Sequence, residues 1–254
     1  MNIVILGSGN VATHFAHNFH KKGHKILQIF SQQKANAQAL AFAVNAEAIS
    51  EPSKIKKGAD LYMIAIPDHA IPSLVAAIPA DSSGIVVHCS GATDIQVLSK
   101  FQQYGVVYPP QSISKNDKSD FSLIPFCIEG NNAVTFNILM DLITTIAPKS
   151  IACNSSQRLA IHVASVFANN FTNALFQISY ELLQQHDLPF DLVRPIILET
   201  AQKVQSKLPS QVQTGPAVRN DEITIKKHLN FIREHDDWKQ IYQLLSQEIV
   251  KRKS

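Results

Sequence analysis

The residues best suited to chemistry stand at the start of the chain. Gly7-Ser8-Gly9-Asn10-Val11-Ala12 follows the apolar run Ile3–Leu6 and opens a stretch with helical periodicity. It matches G-x-G-x-x-G/A, a strand-to-helix loop in which each small residue has a task. Gly7 permits the tight turn, Gly9 lets a pyrophosphate approach the backbone, and Ala12 allows close packing of helix on strand. The free N–H groups of a helix beginning near Asn10 then face the phosphate charge. A dinucleotide site at Gly7, Ser8, Gly9, Asn10 and Val11 is the expectation.

The end of the next strand decides which dinucleotide. An NAD site usually sets an acid on the ribose 2′-hydroxyl about 20 residues past the glycines. No acidic residue occurs between Ile26 and Ala46, and Phe30 is followed by Ser31-Gln32-Gln33-Lys34. Hydroxyl and amide donors with a lysine suit a 2′-phosphate, so NADP is expected ahead of NAD, with Ser31, Gln32 and Lys34 around it. Lys34 also reads as a solvated lysine at a helix start. Two further loops follow strand-like runs, Ile66-Pro67-Asp68-His69 and Ser90-Gly91-Ala92. Open α/β sheets bind ligands at such ends, which makes Ile66, Pro67, Ser90 and Gly91 candidates to line the cofactor. Pro67 and Asp68 equally suit an ordinary helix start.

A second group of polar residues lies on a run from Ser156 to about His186 that contains no Gly or Pro. Val163, Phe167, Phe171, Ala174 and Ile178 recur at helical spacing and form a core face. Roughly opposite, His162, Ser165, Asn169 and Asn173 share one face. Hydride transfer to a carbonyl or imine needs a proton donor, and His is the commonest near neutral pH; Asn can hold a substrate oxygen. The same stripe is also compatible with a solvated or partner-facing surface. Further on, Gln213-Thr214-Gly215-Pro216-Ala217-Val218-Arg219-Asn220-Asp221 concentrates special residues. Arg219 can fork a carboxylate or phosphate, while Asp221 can cap a helix and neutralise Arg219.

These residues need two kinds of scaffold. Eight of the nine glycines fall in the first 130 residues, and only Gly215 lies beyond. Long helices exclude glycine at about 1 kcal/mol per interior position, so the first part is expected to be α/β and the second helical. Strand-like runs at Ile3–Leu6, Lys25–Phe30, Leu61–Ile66, Ile85–His88, Val106–Tyr108 and Phe126–Glu129 alternate with helical stretches such as Val11–Lys22, Asn36–Ala43 and Ala133–Ile146, a βαβ pattern with a mostly parallel sheet. The helical part is expected to begin after a cap at Ser155 or Ser156. It continues over Leu192–Lys207, Asp221–His235 and Asp237–Lys251, with Asp221 and Asp236 or Asp237 as caps. The expected domains are 1–152, binding the dinucleotide, and 153–254.

Composition narrows the function. The 254 residues are 45% hydrophobic and 17% charged, with a net charge of +3, which excludes wholesale disorder and gives no basic face for nucleic acid. No run reaches the roughly 18 apolar residues of a membrane span, and Met1-Asn2 leads directly into the first strand without a basic leader. The odd number of cysteines, Cys89, Cys127 and Cys153, fits neither a disulfide framework nor a metal knuckle. A soluble protein of a reducing cytoplasm is expected, with no membrane or nucleic-acid partner and no metal.

The pattern Arg158, His162, Phe167, Asn170, then Thr214-Gly215-Pro216 with Arg219 and Asp221, then His228-Leu229, resembles the Rossmann-like proteins that carry a C-terminal domain of unknown function 2520. The resemblance extends over nearly the whole chain. The N-terminal part is also similar to the NADP-binding domains of pyrroline-5-carboxylate reductases and of coenzyme-F420-dependent NADP oxidoreductases. More distantly the arrangement resembles 6-phosphogluconate and β-hydroxyacid dehydrogenases, where a long helix carries catalytic groups to the nicotinamide and builds a dimer. The resemblance implies a Rossmann domain, an all-α C-terminal domain, NADP and a homodimer through the helical part. In those dehydrogenases a lysine stands on the long helix; here Ser156–His186 has none, and His162 is the nearest substitute. Many family members also have His-Pro where this chain has Tyr108-Pro109-Pro110-Gln111.

The expectation is therefore an NADP-dependent oxidoreductase of a small carbonyl or imine compound bound between the two domains. His162, Asn169 and Asn170 would be catalytic, and Ser165, Thr214 and Arg219 would hold the substrate. The alternative is a sensor or scaffold that binds NADP(H) without turnover.

Overall fold

Residues 1–80, 82–114 and 120–252 are described by the computed structural model. Its first part alternates as expected: β1 (Asn2–Leu6), α1 (Asn10–Lys21), β2 (Lys25–Phe30), α2 (Lys34–Ala43), β3 (Glu47–Ile49), β4 (Leu61–Ile64), α3 (Ile71–Ala77), β5 (Ile85–His88), β6 (Tyr104–Tyr108), β7 (Cys127–Gly130), α4 (Ala133–Thr144) and β8 (Ile151–Ala152). The strands form one sheet in the order β3-β2-β1-β4-β5-β6-β7-β8. Every adjacent pair is parallel except β6 with β7. β3, α3 and β8 were not expected; β3 and β8 are too short, at three and two residues, to print a periodicity.

Both faces of the sheet are covered, which is why its strands read as unbroken apolar runs. Ile3 and Ile5 enter one core with Ala12, Phe15, Ala16 and Phe19 of α1, while Val4 and Leu6 enter the other with Tyr62, Ile64, Ile71 and Leu74. The spacing of the α1 residues is the i, i+3, i+4, i+7 stripe of a helix lying on a sheet. Phe15 also meets Phe121 and Phe126 edge-on at 5.3 and 5.6 Å. The helix ends at Gly23, whose φ of +82° lets the chain reverse into β2.

Past β8, α5 (Ser155–Ser165) runs into a π-helical turn, Val166–Phe171, and α6 (Thr172–Gln184) follows. The expected uniform helix is thus interrupted. Its cap is Asn154 rather than Ser155 or Ser156. The Asn154 carboxamide accepts from Gln157 N at 2.8 Å, and Gln157 accepts from Asn154 N at 2.9 Å, a reciprocal box. Two compact units divide the chain, Met1–Asn170 and Phe171–Ser254. The first therefore runs past the 152/153 boundary expected from sequence and includes α5.

The second unit is wholly helical: α6, α7 (Arg194–Lys203), α8 (Pro209–Val212), α9 (Glu222–Phe231) and α10 (Asp236–Lys251), with a short 3-10 turn at Phe190–Leu192. Asp221 caps α9 through Thr224 N at 3.0 Å, as expected. Asp236 and Asp237 instead stand in the first turn of α10, after His235, where they complement the helix dipole. His228 meets the Tyr242 hydroxyl at 2.8 Å and ties α9 to α10. Among the described residues no helix is long and apolar enough to cross a membrane.

Candidate functional site

Reversal of the strand order between β1 and β4 leaves a crevice at the carboxyl ends of those strands. It is a cleft of about 970 Å³, and its wall brings together Gly7, Ser8, Gly9, Asn10, Val11, Ser31, Gln32, Ile66 and Pro67. The two glycines do different things. Gly7 has φ +143°, and a Cβ there would lie 2.1 Å from the Ala65 carbonyl oxygen, so the loop is pressed against the end of β4. A Cβ on Gly9 would meet nothing within 4 Å; it would project into the cleft, in the space a bound group needs. No side chain caps α1 and no acid stands in its first turn, which leaves its N-terminal dipole to the cleft.

The far side of the loop is polar and neutral. Ser8 Oγ donates to Ser31 Oγ at 2.9 Å, so the Ser31 proton remains to be given to a ligand. Gln33 and Asn36, bonded to each other at 2.8 Å, continue this wall. Among the described residues Asp68, beyond β4, is the single acid on the cleft wall. Backbone N–H groups, hydroxyls and amides without a carboxylate at the end of β2 suit a phosphorylated dinucleotide, and they are the residues that would hold NADP.

Three residues proposed for the cofactor lie elsewhere. Lys34 is the exposed first residue of α2 and does not line the cleft. Ser90 is buried, and its hydroxyl accepts from Ala92 N at 3.2 Å and Thr93 N at 2.9 Å. Gly91 packs on His162 and Tyr108. From the same loop Cys89 reaches the cleft instead, its thiol held protonated by burial.

A second recess of about 380 Å³ is lined by Tyr108, Gln111, Ser112, His162, Ser165, Asn169 and Asn170, among others. Gln111 lines both recesses, so cleft and cavity adjoin there. The cavity gathers His162, Ser165 and both asparagines from one helical segment. Asn169 and Asn170 come from the π-turn that follows α5. Tyr108 Oη is 3.1 Å from His162 Nδ1, with the rings edge-on at 5.9 Å between centroids. Burial pushes the phenol up to about 12, so it is neutral across the working range of a cell.

Arg158 holds this segment in place. It is 1% exposed, pairs with Glu129 on β7, and donates to the Thr93 carbonyl at 2.6 Å and to Ser155 Oγ at 3.1 Å. Glu129 also accepts from Ser155 N at 3.0 Å. One buried guanidinium thus joins α5, β7 and the loop after Ser90, and His162 follows one turn later. Behind the loop His88 is fully buried with Nε2 unpartnered, and burial and Arg158 lower its pKa to about 4.

Thr214 and Arg219 belong to the second unit. Both are exposed, in the turn before α9, and neither lines a recess of the first unit. The Thr214 carbonyl accepts from the Gln213 amide at 3.0 Å, and hydrogen bonds from Thr224, with the Arg219 charge adding to them, hold the Asp221 carboxyl below its ordinary range. Gln33, Tyr108 and Gln111 stand in stretches that the sequence singles out, Ser31-Gln32-Gln33-Lys34 and Tyr108-Pro109-Pro110-Gln111, but no site role for them is legible there, and Asn36 follows two residues after Lys34; Tyr108 and Gln111 are placed by the sheet. Among the described residues no His, Cys, Asp and Glu cluster could hold a metal ion.

Comparison with known proteins agrees with this architecture. A Rossmann-like domain model matches residues 1–112, and the model of domain of unknown function 2520 matches residues 124–249. A Bacteroides fragilis protein provisionally assigned as an NADP oxidoreductase is 34% identical, with 98% of each chain covered and a TM-score of 0.88. Protein TM1727 of Thermotoga maritima is 20% identical over 99% of this chain and 98% of its own, with a TM-score of 0.77. An imine reductase from Myxococcus stipitatus, in complex with NADP+, is 11% identical over 99% of this chain and 94% of its own, with a TM-score of 0.70. The last two share the fold. No curated protein matches the chain significantly. With both domain models matched in order, and a relative 34% identical along 98% of its length, the chain belongs to the family that joins a Rossmann-like domain to domain of unknown function 2520.

Proposed function

We propose that the protein is an NADP-dependent oxidoreductase acting on a small carbonyl or imine compound. The observation that carries this reading is the junction at Gln111. There a cleft built for a dinucleotide opens beside a cavity holding an imidazole, a phenol and two carboxamides. The chemistry such a cofactor supplies is hydride transfer. Gly7 to Val11 would hold its pyrophosphate, and Ser31, Gln32, Gln33 and Asn36 its ribose phosphate. Ile66, Pro67 and Cys89 would bound it toward the cavity. His162 would give or take the proton that balances the hydride, and Asn169 and Asn170 would hold the substrate oxygen or nitrogen. The similarity to an imine reductase that binds NADP+ supports the substrate class through the fold.

The test is NADPH oxidation across a panel of ketoacids and cyclic imines, with His162→Ala beside the unmodified protein. A specific substrate should emerge, and the variant should lose about 10²–10⁴-fold in turnover while binding NADPH as before. Turnover unchanged in His162→Ala would remove His162 from the mechanism. NADPH binding with no substrate turned over would favour a sensor instead.

We further propose a homodimer through the helical unit. Among its described residues only Ala217 and Ile232 are buried, while Leu192, Ile196, Leu198, Phe231 and Leu244 are 58–65% exposed. Apolar side chains bared to that extent mark an interaction surface. Light scattering should give twice 28.1 kDa; a monomer mass would contradict it. Three free thiols suit a reducing cytoplasm.

A further inference from the structure

Some glycines of the first unit are small because backbone passes close by. A Cβ on Gly84 would lie 2.2 Å from the Ala59 carbonyl oxygen, and one on Gly105 would lie 2.4 Å from that of Glu129. Gly91 is different. The three atoms nearest its missing Cβ are His162 Nδ1 at 2.7 Å, His162 Cγ at 2.8 Å and Tyr108 Cζ at 2.8 Å. All three belong to the pair of rings that meet at 3.1 Å between Tyr108 Oη and His162 Nδ1. Gly91 has no positive φ, so its backbone does not call for glycine. It lines neither the cleft nor the cavity. What requires its smallness is the two rings.

We infer that Gly91 is a positioning residue: its bare α-carbon is the seat on which the His162 imidazole and the Tyr108 phenol are set together at the cavity. The loop that carries it is tied down on both sides. Ser90 Oγ accepts from Ala92 N at 3.2 Å and from Thr93 N at 2.9 Å, and Ser90 N donates to His88 Nδ1 at 3.2 Å. Arg158 holds the Thr93 carbonyl to α5 at 2.6 Å, and Ile95 N donates to Ser155 Oγ at 3.3 Å. Tyr108 is fixed at its backbone by pairing with Cys127 of β7. With loop, strand and helix start all bonded, the side-chain torsions are the softest parts. A methyl group at position 91 therefore drives the rings off their rotamers. This deepens the reading of His162 as the proton-transfer group and rests on it for its purpose, whereas the seating itself belongs to the protein without ligands.

The experiment compares Gly91→Ala, His162→Ala and the double variant with the unmodified full-length protein. Without cofactor, the imidazole NMR signal of His162, assigned among the ten histidines by its loss in His162→Ala, should shift in Gly91→Ala, and Tm should fall. In the His162→Ala background the imidazole no longer occupies the space, and the same substitution should lower Tm by less. Gly91→Ala should bind NADPH within about twofold of the unmodified protein, while turnover of a substrate found in the panel falls about 10²-fold, as for a displaced reacting group. The double variant should be no slower than His162→Ala. An unmoved His162 signal, Tm losses that add, or NADPH binding lost with turnover overturns the inference. Should Gly91→Ala not fold, a folded double variant supports the inference and an unfolded one overturns it. A moved ring with undiminished turnover removes the positioning role and leaves the oxidoreductase reading standing. A moved ring and non-additive melting in a protein that turns over no substrate leave the seating standing and remove the oxidoreductase reading.

Discussion

The cleft and the cavity adjoin, yet they are made in different ways. The floor of the cleft is one local stretch, the five consecutive residues Gly7 to Val11 between β1 and α1. The cavity is made by two distant stretches: Tyr108 at the end of β6 with the residues after it to Ser112, and His162 to Asn170 along α5 and the π-turn. A local site fails when a Cβ intrudes on the stretch itself. A site assembled from distant stretches fails when one of its partners is displaced. The division suits a molecule whose cofactor grip is generic and whose chemistry is particular.

Substitutions at the two loop glycines should break the cleft in separate ways. Gly7→Ala combines a disfavoured φ with a backbone collision at Ala65. It should cost about 3 kcal/mol or more, lowering Tm by about 6–12 °C in a domain of this size. Gly9→Ala should leave Tm alone and weaken NADPH binding about tenfold or more, since only the ligand's space is taken. Equal melting losses in both variants would contradict the distinction.

Between these in size lies a pH effect from the cavity's supporting loop. His88 is neutral in the fold with its pKa lowered to about 4, whereas in the unfolded chain it takes a proton below about pH 6.5. Its contribution is therefore fully present above pH 6.5, is lost as pH falls toward 4, and changes no further below that. The loss amounts to about 3 kcal/mol. Urea midpoints measured between those limits should fall in the unmodified protein and flatten in His88→Gln. Parallel curves for the two proteins would show that His88 carries none of the acid sensitivity.

The contrast also explains what could be read from the sequence. Gly7 to Ala12 declares itself because strand, turn and helix are contiguous, and one motif encodes turn, approach and packing. The main strands and helices of the first unit were legible for the same local reason. Asn154 and its neighbours Ser155 and Ser156 are equally good caps by residue type, so the local sequence alone does not choose among them. The π-turn leaves no periodicity to detect, so Asn169 fell on the polar stripe while Asn170 came only through the family pattern. Tyr108 stands out in the sequence only as the departure from His-Pro; its place in the cavity depends on β6 ending beside a helix that begins 47 residues later. Arg158 entered as part of a family motif; its burial against Glu129 gives that motif a physical meaning, the clamp that sets α5 on the sheet.

The central claim is that the cleft is a site for a phosphorylated dinucleotide, and titration with NADPH and with NADH under nicotinamide fluorescence tests it most directly. With Ser31, Gln33 and Asn36 in place of an acid at the end of β2, NADPH should bind at least about tenfold more tightly than NADH, a difference of about 1.4 kcal/mol. Equal or stronger binding of NADH would contradict the assignment of that wall. Binding of neither would remove the dinucleotide from the cleft and the oxidoreductase reading with it.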